Sequence, residues 1–172
     1  MTSKRPLIGG VAALVLAVVV AVGAISASAG NSRASHAVGP KLVGSWMVSV
    51  DRGPTLPPLK SLQTYAKGGG VIEIANGGAT VRSPSHGAWK HIGGRTYGST
   101  VIFFRYDPAS GAYLGTLKIR HELEVASDGQ SFTGVAVGEI RDASGNLLPG
   151  SNTRKDTVTA ERINVEPVPD IP

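Results

Sequence analysis

Cysteine is absent from the 172-residue chain, and that one absence closes several routes. No disulfide can brace the fold in an oxidising compartment. No thiolate can ligate a metal or act as a nucleophile. A lipid-modified N-terminal cysteine is excluded as well. Aromatic residues are scarce, at 5% of the chain, so each one weighs heavily in any core. Like charges never form a run, which argues against a nucleic-acid partner despite a pI near 9.7. From Lys41 onward no apolar period of 3.6 residues lasts three turns, so no amphipathic helix is predicted. Nucleophile-elbow, phosphate-loop and His-Glu-x-x-His motifs are all missing. The glycines of "KGGGVIEIANGG" lack the strand-to-helix context of a dinucleotide site and read as two hairpin turns. No cofactor is implied.

What the chain has first is a leader. Lys4 and Arg5 precede an apolar run from Leu7 to Ile25, and Ala27-Ser28-Ala29 offers the small residues read by a signal peptidase. Residues 1–29 are therefore assigned as a signal peptide. The alternative is an uncleaved anchor, because 19 apolar residues also suffice to span a bilayer. Either outcome places the remainder outside the cytoplasm, with any membrane contact made by this segment alone. Taking Lys4 and Arg5 from the 17 basic residues leaves 15 against 12 acidic ones, a mildly basic surface. The 143 residues after Ala29 suit one domain large enough to need no covalent staple.

Residues 30–40 read as a flexible linker and 165–172 as a proline-rich tail. Between them, residues 41–164 alternate short apolar-polar runs with glycine-rich breaks. Strands are predicted at 43–50, 60–66, 70–76, 79–82, 86–92, 95–106, 111–126, 130–141 and 154–164. "DPASG" and "SDGQ" have the composition of hairpin connections. Short strands at this spacing, without helices, predict an all-β antiparallel up-and-down barrel of about eight strands. Closure also removes the exposed sheet edges that a cysteine-free secreted sheet would otherwise carry.

Parity shows which side faces in. In "GAYLGTLKIRHELEV", Tyr113, Leu117, Ile119, His121, Leu123 and Val125 share one face, while Lys118, Arg120, Glu122 and Glu124 share the other. In "SFTGVAVGEI", Gly134, Ala136 and Gly138 lie on the face of Phe132 and Ile140. Three small inward residues either permit a bend or leave room for a ligand. Phe103 and Phe104 must point to opposite faces. One of them, with Val135 and Val137, predicts an apolar exterior patch suited to a homodimer contact or to the seat of a loop.

Gly44-Ser45-Trp46 on the first strand resembles the G-x-W signature of lipocalins and the wider calycin-type barrels. The resemblance implies an arginine at the far end packing across the tryptophan. Arg162 in "DTVTAERI" has the inward parity for that role, and Trp46 and Arg162 are assigned as the barrel-closing pair. A guanidinium over an indole contributes about 0.5–2 kcal/mol. The chain also resembles bacterial secreted lipocalin-like proteins at Ser83-Pro84, His86-Gly87, Trp89, Phe104, Asp107-Pro108, Gly111, Leu114-Gly115-Thr116, Lys118, Arg120 and Phe132-Thr133-Gly134. Neither the helix that follows the barrel nor the disulfides common in the classical family are evident here.

The resemblance implies a carrier of a small apolar molecule, with Tyr65, Trp89, Phe103, Tyr113, Leu117, His121 and Phe132 as its lumen lining. Two alternatives stand beside it. One is a barrel cyclase or isomerase, similar to allene oxide cyclases or spirotetronate cyclases, using His121 or Tyr113 as its acid-base group. The other is a solid structural barrel. His86, His91 and His121 lack a compact ligand spacing, so no metal is assigned. Glu73, Glu122, Glu124 and Glu139 are placed on polar parity or near turns, which leaves no working carboxylate pair.

Overall fold

The computed structural model describes residues 41–77 and 81–170; the leader and the linker up to residue 40 lie outside them. Eight strands follow one another: β1 (Gly44–Asp51), β2 (Leu59–Tyr65), β3 (Gly70–Ala75), β4 (Ser85–Gly93), β5 (Thr96–Tyr106), β6 (Tyr113–Val125), β7 (Ser131–Arg141) and β8 (Lys155–Arg162). Each pairs antiparallel with the next, and β8 returns to pair with β1. The result is a closed up-and-down barrel with no free strand margin. After β8 the described chain, through residue 170, has no regular structure.

The ninth segment predicted, 79–82, does not form a strand in its described part. Arg82 makes a single bridge to Arg105, and residues 78–80 lie outside the described chain. The turns follow their composition. Asp107 Oδ1 accepts from the Ala109 and Ser110 amides, and Gly111 takes φ 71°. Asp128 Oδ1 accepts from the Gln130 amide in the corresponding place between β6 and β7.

Inside, the barrel is unequal from end to end. At the end where β1 begins and β8 finishes, Trp46, Tyr65, Trp89, Tyr97 and Phe132 are buried with Leu42, Leu123 and Val125. The rings interlock at angles. Trp46 meets Phe132 at a centroid separation of 4.9 Å, and Tyr65 stands edge-on to both Phe132 and Trp89 at 6.5 and 6.3 Å. Each such buried ring contributes on the order of 2–3 kcal/mol through area removed from water. Five aromatics out of so few are thus concentrated in one plug.

Two departures from the predicted facing have local causes. Tyr113, expected inside, lies on the exterior at 45% exposure and packs edge-on against Phe104. The β5–β6 register shifts beside Tyr106, and Gly115 sits at φ 117°. This bulge reverses the parity of the residues before it. Glu73, expected on the solvated side, is 3% exposed and points inward. Pairing of Gln63 with Glu73 and of Tyr65 with Val71 fixes that facing. Ile72 and Ile74 are turned out as a consequence, at 55% and 54% exposure.

The apolar exterior includes Phe104 and Val135, as expected, and extends well beyond them. Val135 is exposed and Val137 half-buried on β7, but Met47, Leu62, Ile72, Ile74, Ile102 and Phe104 form the larger outward set, across β1, β2, β3 and β5. Phe103, the inward member of the Phe103-Phe104 pair, is buried.

Candidate functional site

The closed end is built around one residue of β1 and one of β8. Trp46 and Arg162 are direct cross-strand partners, and the Arg162 guanidinium carbon lies 4.2 Å from the indole centroid. Arg162 Nε donates to the Gly129 carbonyl at 2.6 Å, Nη1 to Val43 at 2.8 Å, and Nη2 to Lys41. Three carbonyls from two chain segments are thus tied to one planar cation, which lysine cannot reproduce. Trp46 Nε1 donates to the Leu42 carbonyl at 2.9 Å, so the buried indole is satisfied.

Toward the opposite end the packing stops, and a cavity of about 660 Å³ opens among β1, β2, β3, β5, β6, β7 and β8. This volume lies within the roughly 300–1,000 Å³ range of small-molecule sites, which favours the hollow barrel over its solid alternative. The small residues of β7 have separate uses. A side chain on Gly134 would overlap the Glu122 carbonyl, so this glycine lets β6 and β7 approach closely. Ala136 and Gly138 border the cavity and leave it open. Close strand approach and open volume thus lie two to four residues apart on β7.

Of the seven residues assigned to the lining, Phe103, Leu117 and His121 border the cavity. Tyr65, Trp89 and Phe132 belong to the aromatic plug beneath it, and Tyr113 is outside. Charged and polar side chains that sequence parity did not mark as inward complete the lining. Arg82 Nη2 bonds Glu73 Oε2 and also donates to Ser85 Oγ at 2.7 Å, and Ser85 Oγ reaches the same carboxylate oxygen. The Arg82 guanidinium carbon lies 3.7 Å from the Phe103 centroid. This ion pair is almost wholly buried, at 9% and 4% side-chain exposure. No periodic signal could reveal it, because both parities of "VIEIA" are apolar around Glu73.

Two hydrogen-bonded pairs lie at the cavity floor. Tyr65 donates to Gln63 Oε1 at 2.5 Å, and Ser99 Oγ lies 3.0 Å from His121 Nδ1. Burial pushes the Tyr65 phenol up. Burial lowers the His121 pKa from 6.5 to about 4, so the imidazole is neutral at neutral pH. It offers a hydrogen-bonding ring nitrogen there but holds no proton reserve for acid catalysis. His86 and His91 are both exposed, far in facing from His121, and His91 Nε2 contacts the Gly94 carbonyl at 2.9 Å. Among the described residues no group of His, Asp and Glu is arranged to hold a metal ion.

The mouth is cationic. Arg52, Arg105 and Arg154 border it, with Asp156 beside Arg154 at 2.6 Å. Together with Arg82 and Glu73, four arginines face two carboxylates around one cavity.

Plugged at one end and hollow at the other, the molecule is of the closed eight-stranded barrel class, compatible with a lipocalin-like fold. No protein-family model matches the sequence, and neither a curated protein nor a solved structure matches it.

Proposed function

We propose that this barrel is an extracytoplasmic carrier that holds one small, largely hydrocarbon molecule in its lumen. The observation that carries the reading is the 660 Å³ cavity above a sealed aromatic floor. The buried aromatic plug closes the lumen at that end. Val101, Leu117 and Ile119 offer apolar burial, while His121 and the arginines of the mouth set orientation. The basic n-region, apolar run and Ala27-Ser28-Ala29 support an extracytoplasmic place of work. The cyclase reading finds less support, since the buried imidazole is neutral and Tyr113 is outside.

Mass spectrometry of small molecules co-purifying with the protein tests the reading directly. Filling the lumen with Ala136→Phe should remove the co-purified molecule and leave the far-UV spectrum of the barrel unchanged. An Ala136→Phe protein that retains the same molecule in full would place binding elsewhere.

A further inference from the structure

The cavity is two-sided, and this goes further than its size. In a ring of eight consecutive strands, β2 and β3 stand opposite β6 and β7. Below Leu59 the β2–β3 wall is polar: Ser61, Gln63 and Glu73 are buried there, with Arg82 paired to Glu73. The opposing wall is hydrocarbon above His121, which lies at its deep end beside the plug, from Leu117 and Ile119 on β6 to Ile140 on β7. Polar and apolar surfaces therefore run side by side along the depth of one lumen, instead of one following the other from mouth to floor.

Besides Asp156 Oδ1, which faces Arg154 without a hydrogen bond, two further polar atoms bordering this space have no hydrogen-bond partner among the described residues. Glu73 uses Oε2 for both Arg82 and Ser85, which leaves Oε1 unengaged. His121 uses Nδ1 for Ser99, which leaves Nε2 unengaged, on a ring only 8% exposed that lines the cavity. Both atoms are open to the lumen, so a ligand that fills it must replace the hydrogen bonds they make to water. A ligand hydroxyl meets that need at either position. At the mouth, Arg154 is held by Asp156 and Arg52 Nη2 donates to the Pro57 carbonyl at 2.6 Å. The half-buried Arg105 guanidinium has no hydrogen bond among the described residues.

Resting on the lumen-carrier reading, we infer that the ligand is a facially amphipathic monoanion: a rigid body with hydroxyls along one face, hydrocarbon on the other, and an acidic group at Arg105. A flexible straight chain covers the hydrocarbon wall but leaves Glu73 Oε1 and His121 Nε2 unmet. A flat ring system with hydroxyls on one side and at its inner end answers the two walls and His121 at the floor together.

Three probes separate these features: cholate, with hydroxyls on one face and a carboxylate; its neutral methyl ester; and laurate, a straight-chain carboxylate. Titrations use the protein in the form its expressing cell produces, below the probes' micellar concentrations. Cholate is expected to bind one-to-one and at least tenfold tighter than laurate. Arg105→Ala should weaken cholate about tenfold and leave the methyl ester unchanged. Laurate matching cholate, or Arg105→Ala weakening neither acid, would overturn the ligand class while leaving lumen binding intact. Failure of all three probes to bind or to raise the melting temperature would overturn both.

Discussion

The Arg162 guanidinium occupies the space that a side chain on Gly44 would fill. Gly44 takes φ 133°, Trp46 supplies the stacking surface, and Arg162 bonds the Val43 carbonyl next to the glycine. The glycine and tryptophan two residues apart thus form a socket for one cation, at the point where the first and last strands meet.

Disrupting the socket should cost the whole fold, not one contact. Gly44→Ala combines an unfavourable φ with a collision and is expected to destabilise by about 1–3 kcal/mol. Arg162→Met leaves three carbonyls without their donor and should cost at least as much. Arg162→Lys should recover only a small part, because one ammonium lacks the planar fork. Denaturant unfolding followed by tryptophan fluorescence reads all three.

The lumenal ion pair makes a sharper test. Arg82→Met strands Glu73 as an uncompensated buried charge, with an expected loss of about 3–5 kcal/mol. Adding Glu73→Leu should restore much of that stability, so the double variant melts above the single. Purely additive losses would mean that the two side chains do not share one buried pair.

Acid should weaken the barrel in two separate windows. The His121 pKa is lowered from 6.5 to about 4, so the unfolded chain binds a proton that the folded chain refuses. Stability therefore falls as the pH drops from about 6.5 toward 4. The Glu139 pKa is lowered from 4.5 to about 2 by Arg120, Arg141 and Lys118. Its contribution is complete above 4.5 and disappears as the pH falls toward 2. Melting temperature against pH should lose its upper slope in His121→Asn and its lower slope in Glu139→Gln.

The facing of β3 can be checked with threonine. Ile72→Thr and Ile74→Thr, both outward, should change stability by no more than about 0.5 kcal/mol each. Val71→Thr, at 2% exposure, buries a hydroxyl and should cost about 1–3 kcal/mol. Equal effects at Ile72 and Val71 would contradict the register.

How much of this is legible in the sequence varies by strand. Along β6, Glu122 and Glu124 alternate with Leu123 and Val125, and the structure keeps that order. A strand with one charged and one apolar face has only one acceptable orientation. β3 has apolar residues on both parities, so either facing buries similar area. There the choice rests on pairing with β2 and on Arg82, nine residues further on, reaching Glu73. Tyr113 was misplaced because the bulge at Gly115 resets parity, and a glycine in a strand does not announce its φ. Phe103, Leu117 and His121 share the cavity, whereas Tyr65, Trp89 and Phe132 share the plug, and alternation alone cannot distinguish depth along a barrel.

By itself the sequence determined an all-β chain closed on itself, because alternation and turn chemistry are local and Gly44, Trp46 and Arg162 mark the seam. Only tertiary structure decided that the lumen is half plug and half cavity, and that a glutamate and an arginine lie inside it. Those outcomes depend on which side chains meet across the ring, and strands that face each other are far apart in the chain.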